Sequence, residues 1–197
     1  MRSTLFILLA IAAVLLLMGG CKYNSFVQTE EEVNTAWSNV ESQYQRRADL
    51  IPNLVKTVQG SADFERGTLT DVIEARAKAT SIQLTADDLT EQNIARFQEA
   101  QNELSGSLSR LLVAVERYPE LRTTSQFLEL QSQLEGTENR INVARDRYNQ
   151  VVQGYNTEVR QFPGNFFASV FGFDRKAPFA AEAGAADAPD VEFDFAN

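Results

Sequence analysis

Apolar residues recur in steps of three and four along most of this chain, from Thr29 to Phe173, and no segment alternates as a strand does. This spacing places apolar side chains on one face of each helix, and other helices have to cover that face. The connections between the long patterns are short, which favours antiparallel neighbours. The sequence therefore predicts an all-α fold, an elongated antiparallel (up-and-down) helical bundle of about four long helices after an N-terminal membrane anchor.

The first helix is expected to open at Thr29, because Thr29 and Glu32 have the spacing of a capping box. Pro52 lies within the apolar pattern of this helix, and a proline removes one backbone donor. We therefore expect a kink near Ala48 and Asp49.

Caps and breakers predict the limits of three further helices. The second is expected to follow a break at Gly60, and the third to begin at Asp88 or Thr90. The fourth is expected to be the longest, running from about Thr124 to Phe162.

Two C-terminal segments follow the fourth helix. Residues 165–173 carry four phenylalanines and form either a short amphipathic element docked on the end of the bundle or one that touches the membrane surface. Most of residues 174–197 are Ala, Pro, Gly or acidic, so this segment is predicted to be a disordered acidic tail. Its spaced aromatic residues are either partner anchors or untethered, and they are Phe179, Phe193 and Phe195.

The first 21 residues have the features of an export signal. Arg2 is followed by the apolar residues 4–18, by two glycines and by the chain's only cysteine, Cys21. This order resembles the lipobox of a bacterial lipoprotein, in which the signal is removed before the cysteine and the thiol receives lipid. An uncleaved signal anchor is the alternative. Either way, residues 1–21 tether the chain to a membrane of the cell envelope with the rest outside the cytoplasm, because Arg2 favours an inside N-terminus.

Composition argues against several classes of function. The chain has 197 residues, no histidine and a net charge of −9. Histidine is the commonest general base and metal ligand, and a lone cysteine cannot form an intramolecular disulfide. An acidic surface repels nucleic-acid phosphates. We therefore predict a non-enzymatic protein with no catalytic residues, metal, cofactor or nucleic-acid partner; an enzyme using carboxylates such as Glu138 or Asp49 is the least favoured alternative.

Polar side chains lie close to the apolar stripes at two places, around Pro52 and in the middle of the fourth helix. Buried charge is tolerated only when it is paired and hydrogen-bonded. Arg46 or Arg47 is therefore expected to pair with Glu138 and to set the register of the first and fourth helices. The second expected pair is Asp49 with Arg140 or Arg145.

A Tyr-Asn dipeptide at Tyr148 and Asn149 recurs seven residues later at Tyr155 and Asn156. Seven residues are two helical turns, so both dipeptides face the same way. These polar residues form either a structural network or the lining of a binding groove. The candidate residues are Arg46, Arg47, Asp49, Asn53, Glu138, Asn139, Arg140, Arg145, Tyr148, Asn149, Tyr155 and Asn156.

Several motifs resemble those of the LemA family. They are Tyr23-Asn24, AWSNV at residues 36–40, RRADLIPNL at 46–54, EAR at 74–76, VERYPEL at 115–121, TENRI at 137–141, both Tyr-Asn dipeptides, and FGF at 171–173. The resemblance covers nearly all of a predicted helical domain at residues 22–173 and leaves the acidic tail outside the pattern.

The resemblance implies an all-helical bundle held to a bacterial membrane near its N-terminus, with no established catalytic residues. Some family members are encoded near membrane metalloproteases or TPM-domain proteins, and one branch is associated with magnetosome membranes. These associations favour scaffolding or assembly at a membrane. We therefore expect a membrane-tethered, non-enzymatic helical interaction or scaffold module whose partners are the membrane and envelope membrane proteins. The alternative is a module that binds a lipid or another envelope ligand in a groove between helices.

Overall fold

The computed structural model describes residues 2–60 and 64–180, and all secondary structure in these residues is helical. Six α-helices and one 3-10 turn at Ala86–Asp88 follow one another along the chain. The helices are α1 (Arg2–Gln59), α2 (Arg66–Ser81), α3 (Glu91–Val115), α4 (Pro119–Arg122), α5 (Ser125–Arg160) and α6 (Gly164–Phe171). The all-α class that the apolar spacing predicted is therefore confirmed.

Helix α1 is a single helix of 58 residues and rises roughly 87 Å. It passes through Thr29, so the helix start predicted there is wrong. The Thr29 hydroxyl donates to the carbonyl oxygens of Ser25 and Phe26, at 3.1 and 3.2 Å. Because the residues before Thr29 are already helical, no free backbone N–H is left there to cap. Helix α1 also continues through Pro52.

The N-terminal part of α1 presents apolar side chains to its surroundings. Those exposed are Leu5, Phe6, Ile7, Leu8, Leu9, Val14, Leu16, Leu17 and Met18. Among the described residues, no helix is both long enough and apolar enough to cross a membrane.

Helices α1 and α5 pack side by side in opposite directions. The ring centroids of Trp37 and Tyr148 lie 5.6 Å apart, and Arg47 Nη1 lies 3.0 Å from Glu138 Oε2. Residue numbers rise along α1 as they fall along α5, which defines an antiparallel pair.

Helices α2 and α3 are also antiparallel. Lys78 of α2 pairs with Glu103 of α3, and Arg117, just past α3, lies 3.1 Å from Glu65, just before α2. All four side chains are largely exposed, so solvent screens these ion pairs and they contribute little to stability.

Two clusters of buried apolar side chains lie between the helices. The first includes Trp37, Phe97 and Tyr148, and the second includes Leu54 and Leu111. Helices α1, α3 and α5 contribute to both clusters, so the packing continues along the molecule.

Two predicted helix starts are confirmed, and each of them has a side-chain cap. At the start of α3, Thr90 Oγ1 accepts from the N–H of Asn93 at 3.4 Å. At the start of α5, Thr124 Oγ1 accepts from the N–H of Phe127 at 3.3 Å. Each cap satisfies a donor that the first turn of a helix leaves free.

Helix α6 docks on α1, as the first of the two alternatives for residues 165–173 expected. Phe167 and Ala168 are buried, and the Phe167 ring fills the space above Gly19. The chain enters α6 at Gly164, where an added Cβ would lie 2.4 Å from the carbonyl oxygen of Glu158. Only glycine fits at that position without a shift of the backbone.

Residues 174–180, which we call the strap, pack against α5. Ala177 and Phe179 are 5% and 4% exposed. The disorder predicted for residues 174–197 is therefore wrong for the strap, because composition does not reveal that α5 binds its backbone. Residues 181–197, with Phe193 and Phe195, lie outside the described residues.

Candidate functional site

A polar layer separates the two apolar clusters. Along α1 the first cluster ends at Tyr44 and the second begins at Ile51. Arg47 lies between them and is 2% exposed. Gln101 of α3 and Glu138 of α5 occupy the corresponding gaps in their own helices. We refer to this layer as the Arg47 cluster, and its members are Arg47, Gln101, Ser105 and Glu138.

Arg47 makes four hydrogen bonds within this cluster. Its Nη1 donates to Ser105 Oγ at 2.7 Å and to Glu138 Oε2 at 3.0 Å. Its Nη2 donates to Oε1 and to the backbone oxygen of Gln101, at 2.6 and 3.2 Å. Gln101 Nε2 donates in turn to the carbonyl oxygen of Ala79 in α2, at 3.3 Å. One buried cation therefore joins α1 to α3 and α5 and, through Gln101, to α2.

The two charges of this cluster differ in their exposure. The Glu138 side chain is 46% exposed, whereas that of Arg47 is 3% exposed. The guanidinium also lies 5.1 Å from the centroid of the Tyr44 ring, and Arg47 Nε has no hydrogen-bond partner among the described residues. A cavity of about 350 Å³ reaches the cluster, with Asn102 and Arg145 among its lining residues.

The contact expected between Glu138 and one arginine of the 46–47 pair is confirmed, with Arg47 as the partner. Five other predicted residues near the cluster are exposed, and they are Arg46, Asp49, Asn53, Asn139 and Arg140.

The expected pairing of Asp49 with Arg140 or Arg145 is wrong. Asp49 Oδ1 instead accepts from Gln45 Nε2 at 2.8 Å, on the surface of α1. Two residues along a helix correspond to a rotation of roughly 200°. Asp49 therefore points away from the face that carries Arg47.

Tyr155 and Asn156 of α5 hold the start of the strap and form the first clamp. Tyr155 Oη donates to the carbonyl oxygen of Asp174 at 2.9 Å. Asn156 Nδ2 donates to the carbonyl oxygen of Lys176 at 2.8 Å, and Asn156 Oδ1 accepts from the Lys176 N–H at 3.0 Å. Burial raises the pKa of the Tyr155 phenol, and the nearby charges of Glu30 and Asp174 add to this effect. The phenol therefore remains a donor.

Tyr148 and Asn149 form a second clamp with the same geometry. Tyr148 Oη donates to the carbonyl oxygen of Ala177 at 2.8 Å. Asn149 Nδ2 donates to the carbonyl oxygen of Phe179 at 3.2 Å, and Asn149 Oδ1 accepts from the Phe179 N–H at 2.8 Å. Burial also raises the pKa of the Tyr148 phenol. In each clamp, an asparagine amide pairs with the strap backbone as a neighbouring strand would.

The spacing of the clamps matches the length of the strap. The clamps lie seven residues apart on α5, while the strap positions that they bind lie three residues apart. Seven helical residues rise about 10.5 Å, and three residues of fully extended chain span at most about 11 Å. The strap between the clamps is therefore extended. The two Tyr-Asn dipeptides face the same way, as predicted, because they bind one segment.

The Lys176 side chain attaches the strap to α1. Its Nζ lies 2.9 Å from Glu30 Oε1 and donates to the carbonyl oxygen of Ala86 at 3.1 Å. The N–H of Ala177 donates to the carbonyl oxygen of Leu89 at 2.9 Å. The strap therefore connects α5 to α1 and to the connection between α2 and α3.

Phe179 fills an aromatic pocket between the helices. Its ring stacks on Trp37 with the centroids 6.0 Å apart and meets the Tyr148 ring edge-on at 5.4 Å. The Arg145 guanidinium lies 5.0 Å from the Phe179 centroid, and its Nη2 donates to the carbonyl oxygen of Ala180 at 3.3 Å. Arg145 is thus a contact of the strap.

Sequence reasoning missed Gln101 and Ser105 as members of the site, and it expected Phe179 to be either a partner anchor or untethered, whereas Phe179 packs within the chain. The sequence pattern could have identified Gln101, because this residue lies between Phe97 and Leu104, where the apolar stripe of α3 is interrupted. Phe179 carried a weaker signal, as an isolated aromatic residue in a segment of small and acidic residues.

The residues of the described site make hydrogen bonds and packing contacts with other residues of the same chain. Within residues 2–60 and 64–180, no group of three or more Cys, Asp or Glu side chains could hold a metal ion. Apart from Arg47 Nε, the polar atoms described in the Arg47 cluster and in both clamps form hydrogen bonds with other parts of the chain. This arrangement defines an all-helical protein whose inward-facing polar residues hold the helices and a C-terminal segment together.

The family model of the LemA family matches residues 36–193, so the chain belongs to the LemA family. The match extends beyond Phe173, which corrects the expectation that the family pattern ends there. Two relatives, Magnetosome protein MamQ 2 and Magnetosome protein MamQ 1 of Paramagnetospirillum magneticum, are each 28% identical over 85% of this chain and 68% of their own length. Magnetosome protein MamQ of Magnetospirillum gryphiswaldense is 27% identical over 78% of this chain and 63% of its own length.

Proposed function

We propose that this LemA-family protein is a non-enzymatic helical interaction or scaffold module, tethered to a bacterial membrane by residues 1–21. An antiparallel bundle formed by residues 22–173 stands outside the cytoplasm and presents its outer faces to envelope membrane proteins. The observation that carries the proposal is the continuity of α1, whose exposed apolar end leads directly into the packed helices. A tether raises the local concentration of the domain at the membrane and so strengthens weak contacts there.

Both forms of the tether have support. Cys21 is exposed, as a lipid acceptor has to be. An uncleaved anchor is supported by the contact between Gly19 and Phe167, which cleavage before Cys21 would remove. In either form, residues 21–23 lie at the membrane surface.

The internal use of the polar residues supports a non-enzymatic role. Arg47, Asn149 and Asn156 bind other parts of the chain, so these side chains serve to hold the helices and the strap. The relatives are named magnetosome proteins, and a supporting role at a cellular structure agrees with those names.

The alternative of a lipid-binding groove has less support. Seven of the nine residues around the cavity of about 500 Å³ beside the strap are polar, although apolar atoms form more than half of its surface. The seven polar residues are Asn149, Gln153, Asn156, Thr157, Arg160, Gln161 and Arg175. Lipid chains and other apolar ligands prefer cavities lined mainly by apolar side chains.

A crosslinking experiment in cells tests the interaction role. A photoreactive phenylalanine analogue replaces Val113 or Val143, which are 69% and 70% exposed on α3 and α5, in the full chain. We expect specific adducts with envelope proteins, and we expect them to weaken in a matched chain that lacks residues 4–18. Adducts that are absent at both positions, or that are unchanged without residues 4–18, would contradict the proposal.

A further inference from the structure

Helix α6 has two apolar faces, and only one of them is covered. Phe167 and Ala168 are buried against α1. Phe166 and Val170, one turn apart, are 60% and 63% exposed, and Phe162, just before the helix, is 87% exposed. The helix sequence GNFFASVF contains no charged residue. An uncharged outer face with exposed aromatic and aliphatic side chains favours an apolar partner.

The position of α6 along α1 indicates which apolar partner the outer face of α6 has. The Phe167 ring lies over Gly19, and the Phe171 ring meets Tyr23 at 5.3 Å. Leu16 and Leu17, which precede Gly19 on α1, are 77% and 72% exposed. The outer face of α6 therefore continues the exposed apolar surface of α1.

The length of the apolar segment supports the same partner. Residues 4–18 rise roughly 22 Å as a helix, whereas the hydrocarbon core of a bilayer is about 30 Å thick. The contacts of Phe167 with Gly19 and of Phe171 with Tyr23 place α6 just beyond the C-terminal end of this apolar segment. The apolar surface of the chain therefore continues beyond residue 18 to α6, which lies where such a segment would meet the membrane interface.

Three basic residues flank α6 in sequence or space, together with the acidic residues Glu158 and Asp174. Lys22 lies 3.5 Å from Glu158 and remains 34% exposed. Arg160, at the end of α5, and Arg175, two residues past the FGF motif, are also exposed. Long basic side chains can extend toward lipid headgroups while their stems cover apolar surface.

We propose that the outer face of α6, formed by Phe162, Phe166 and Val170, inserts into the headgroup–acyl boundary of the membrane that holds residues 1–21. The partner of this surface is the lipid bilayer itself. Amphipathic helices lie in this boundary with their apolar face buried about 5–10 Å. The inference rests on the proposed membrane tether and adds a second contact with the same membrane.

Fluorescence of the full chain in vesicles of phosphatidylethanolamine and phosphatidylglycerol tests this contact. In a Cys21→Ser background, Phe166→Cys or Val170→Cys carries a polarity-sensitive dye, and Val143→Cys is the matched control on α5. Val143 is 70% exposed and lies roughly 22 Å along α5 from Glu158, which is at the level of α6. We expect a blue shift and quenching by nitroxide-labelled lipid at positions 166 and 170, and neither effect at 143.

Vesicle flotation of the same samples separates this inference from the tether. If the chain floats with the vesicles but positions 166 and 170 behave like 143, the α6 contact is wrong and the tether stands. If the chain does not float, the tether itself is wrong. Melting temperatures of the labelled variants should match the parent protein, because both substituted side chains are exposed.

Discussion

Arg76 Nε donates to the carbonyl oxygen of Ala48 at 2.7 Å. In an uninterrupted helix this oxygen would accept from the N–H of residue 52, but Pro52 has none. Ala48 is 2% exposed, so little water can reach the free acceptor. The arginine of α2 therefore replaces the hydrogen bond that the proline removes from α1.

This relationship predicts a coupling between positions 76 and 52. We expect Arg76→Met to lower the free energy of unfolding by about 1–2 kcal/mol, because the Ala48 carbonyl loses its partner. In a Pro52→Ala background the loss should be smaller, because the substituted residue would supply its own N–H. A double-mutant cycle by urea unfolding measures the coupling. Equal losses in both backgrounds would show that the bond does not compensate for the proline.

Loss of either charge of the Arg47–Glu138 pair should destabilise the protein, for different reasons. Arg47→Met leaves the oxygen acceptors of Gln101 and Ser105 without their donor inside the protein, and we expect a loss of about 1–3 kcal/mol. Glu138→Gln keeps an acceptor for Arg47 Nη1 but leaves the buried cation without its opposite charge, and we expect a loss of about 1–2 kcal/mol because Glu138 itself is half exposed. Urea unfolding measures both losses, and crosslinking from Val143 in the Glu138→Gln variant tests binding. Lost crosslinks at unchanged stability would identify Glu138 as a partner contact.

Conversion of a clamp amide to a carboxylate should release the strap. Asn149→Asp keeps an acceptor for the Phe179 N–H but loses the donor to the Phe179 carbonyl, and we expect a cost of about 1–2 kcal/mol. Hydrogen exchange at the Phe179 amide should become faster, while exchange in the middle of α1 stays slow. Asn142→Asp, an exposed position one heptad earlier on α5, is the matched control. Equal effects at 142 and 149 would exclude a specific role of the clamp.

The free energy of unfolding should fall at alkaline pH, because the phenols of the two clamp tyrosines lose their protons more readily in the unfolded chain than in the folded one. Burial raises the pKa of Tyr148 and Tyr155 above the ordinary value of 10.0, so the unfolded chain releases these protons first. The stabilisation that the two neutral phenols contribute to the folded state is complete below pH 10 and is lost as the pH rises above that value. From about pH 8 to about pH 11, a Tyr148→Phe and Tyr155→Phe double variant should lose less unfolding free energy than the parent. A pH dependence that is unchanged in the double variant would exclude these two phenols as its source.

Two glycines of the α5–α6 region should respond to alanine in opposite ways. Gly164→Ala places a Cβ against the backbone oxygen of Glu158, and we expect a loss of about 1–3 kcal/mol. Gly154, exposed within α5, has nothing within 4 Å of its added Cβ. Gly154→Ala should therefore stabilise the helix by up to about 1 kcal/mol. Thermal unfolding followed by circular dichroism compares the two, and destabilisation by both would contradict the assigned contacts.

Local chemistry was sufficient to predict much of this fold. The apolar spacing indicated the helices, and the hydroxyl of Thr90 marked the start of α3 because a cap acts within one turn. The contact between Arg47 and Glu138 followed from the cost of burying an unpaired charge. The common direction of the two Tyr-Asn dipeptides followed from helical geometry.

What the sequence did not reveal depends on contacts between distant residues. The capping pattern at Thr29 is local, whereas the helix upstream of it continues and packs against α6. The strap lacks the composition of an ordered segment, and its order comes from side chains about twenty to thirty residues earlier on α5. Arg76 replaces a hydrogen bond of a different helix, which spacing within either helix cannot show.

The match between the two clamps and the strap also limits how this segment can change in length. Three residues already extend across the distance from Lys176 to Phe179, so a deletion there would leave one asparagine amide without its partner. An insertion would move Phe179 out of its aromatic pocket. Related chains should therefore vary in length elsewhere and keep constant the number of residues between these two positions. Any compensated change would have to add about three residues to the strap for every seven added to α5.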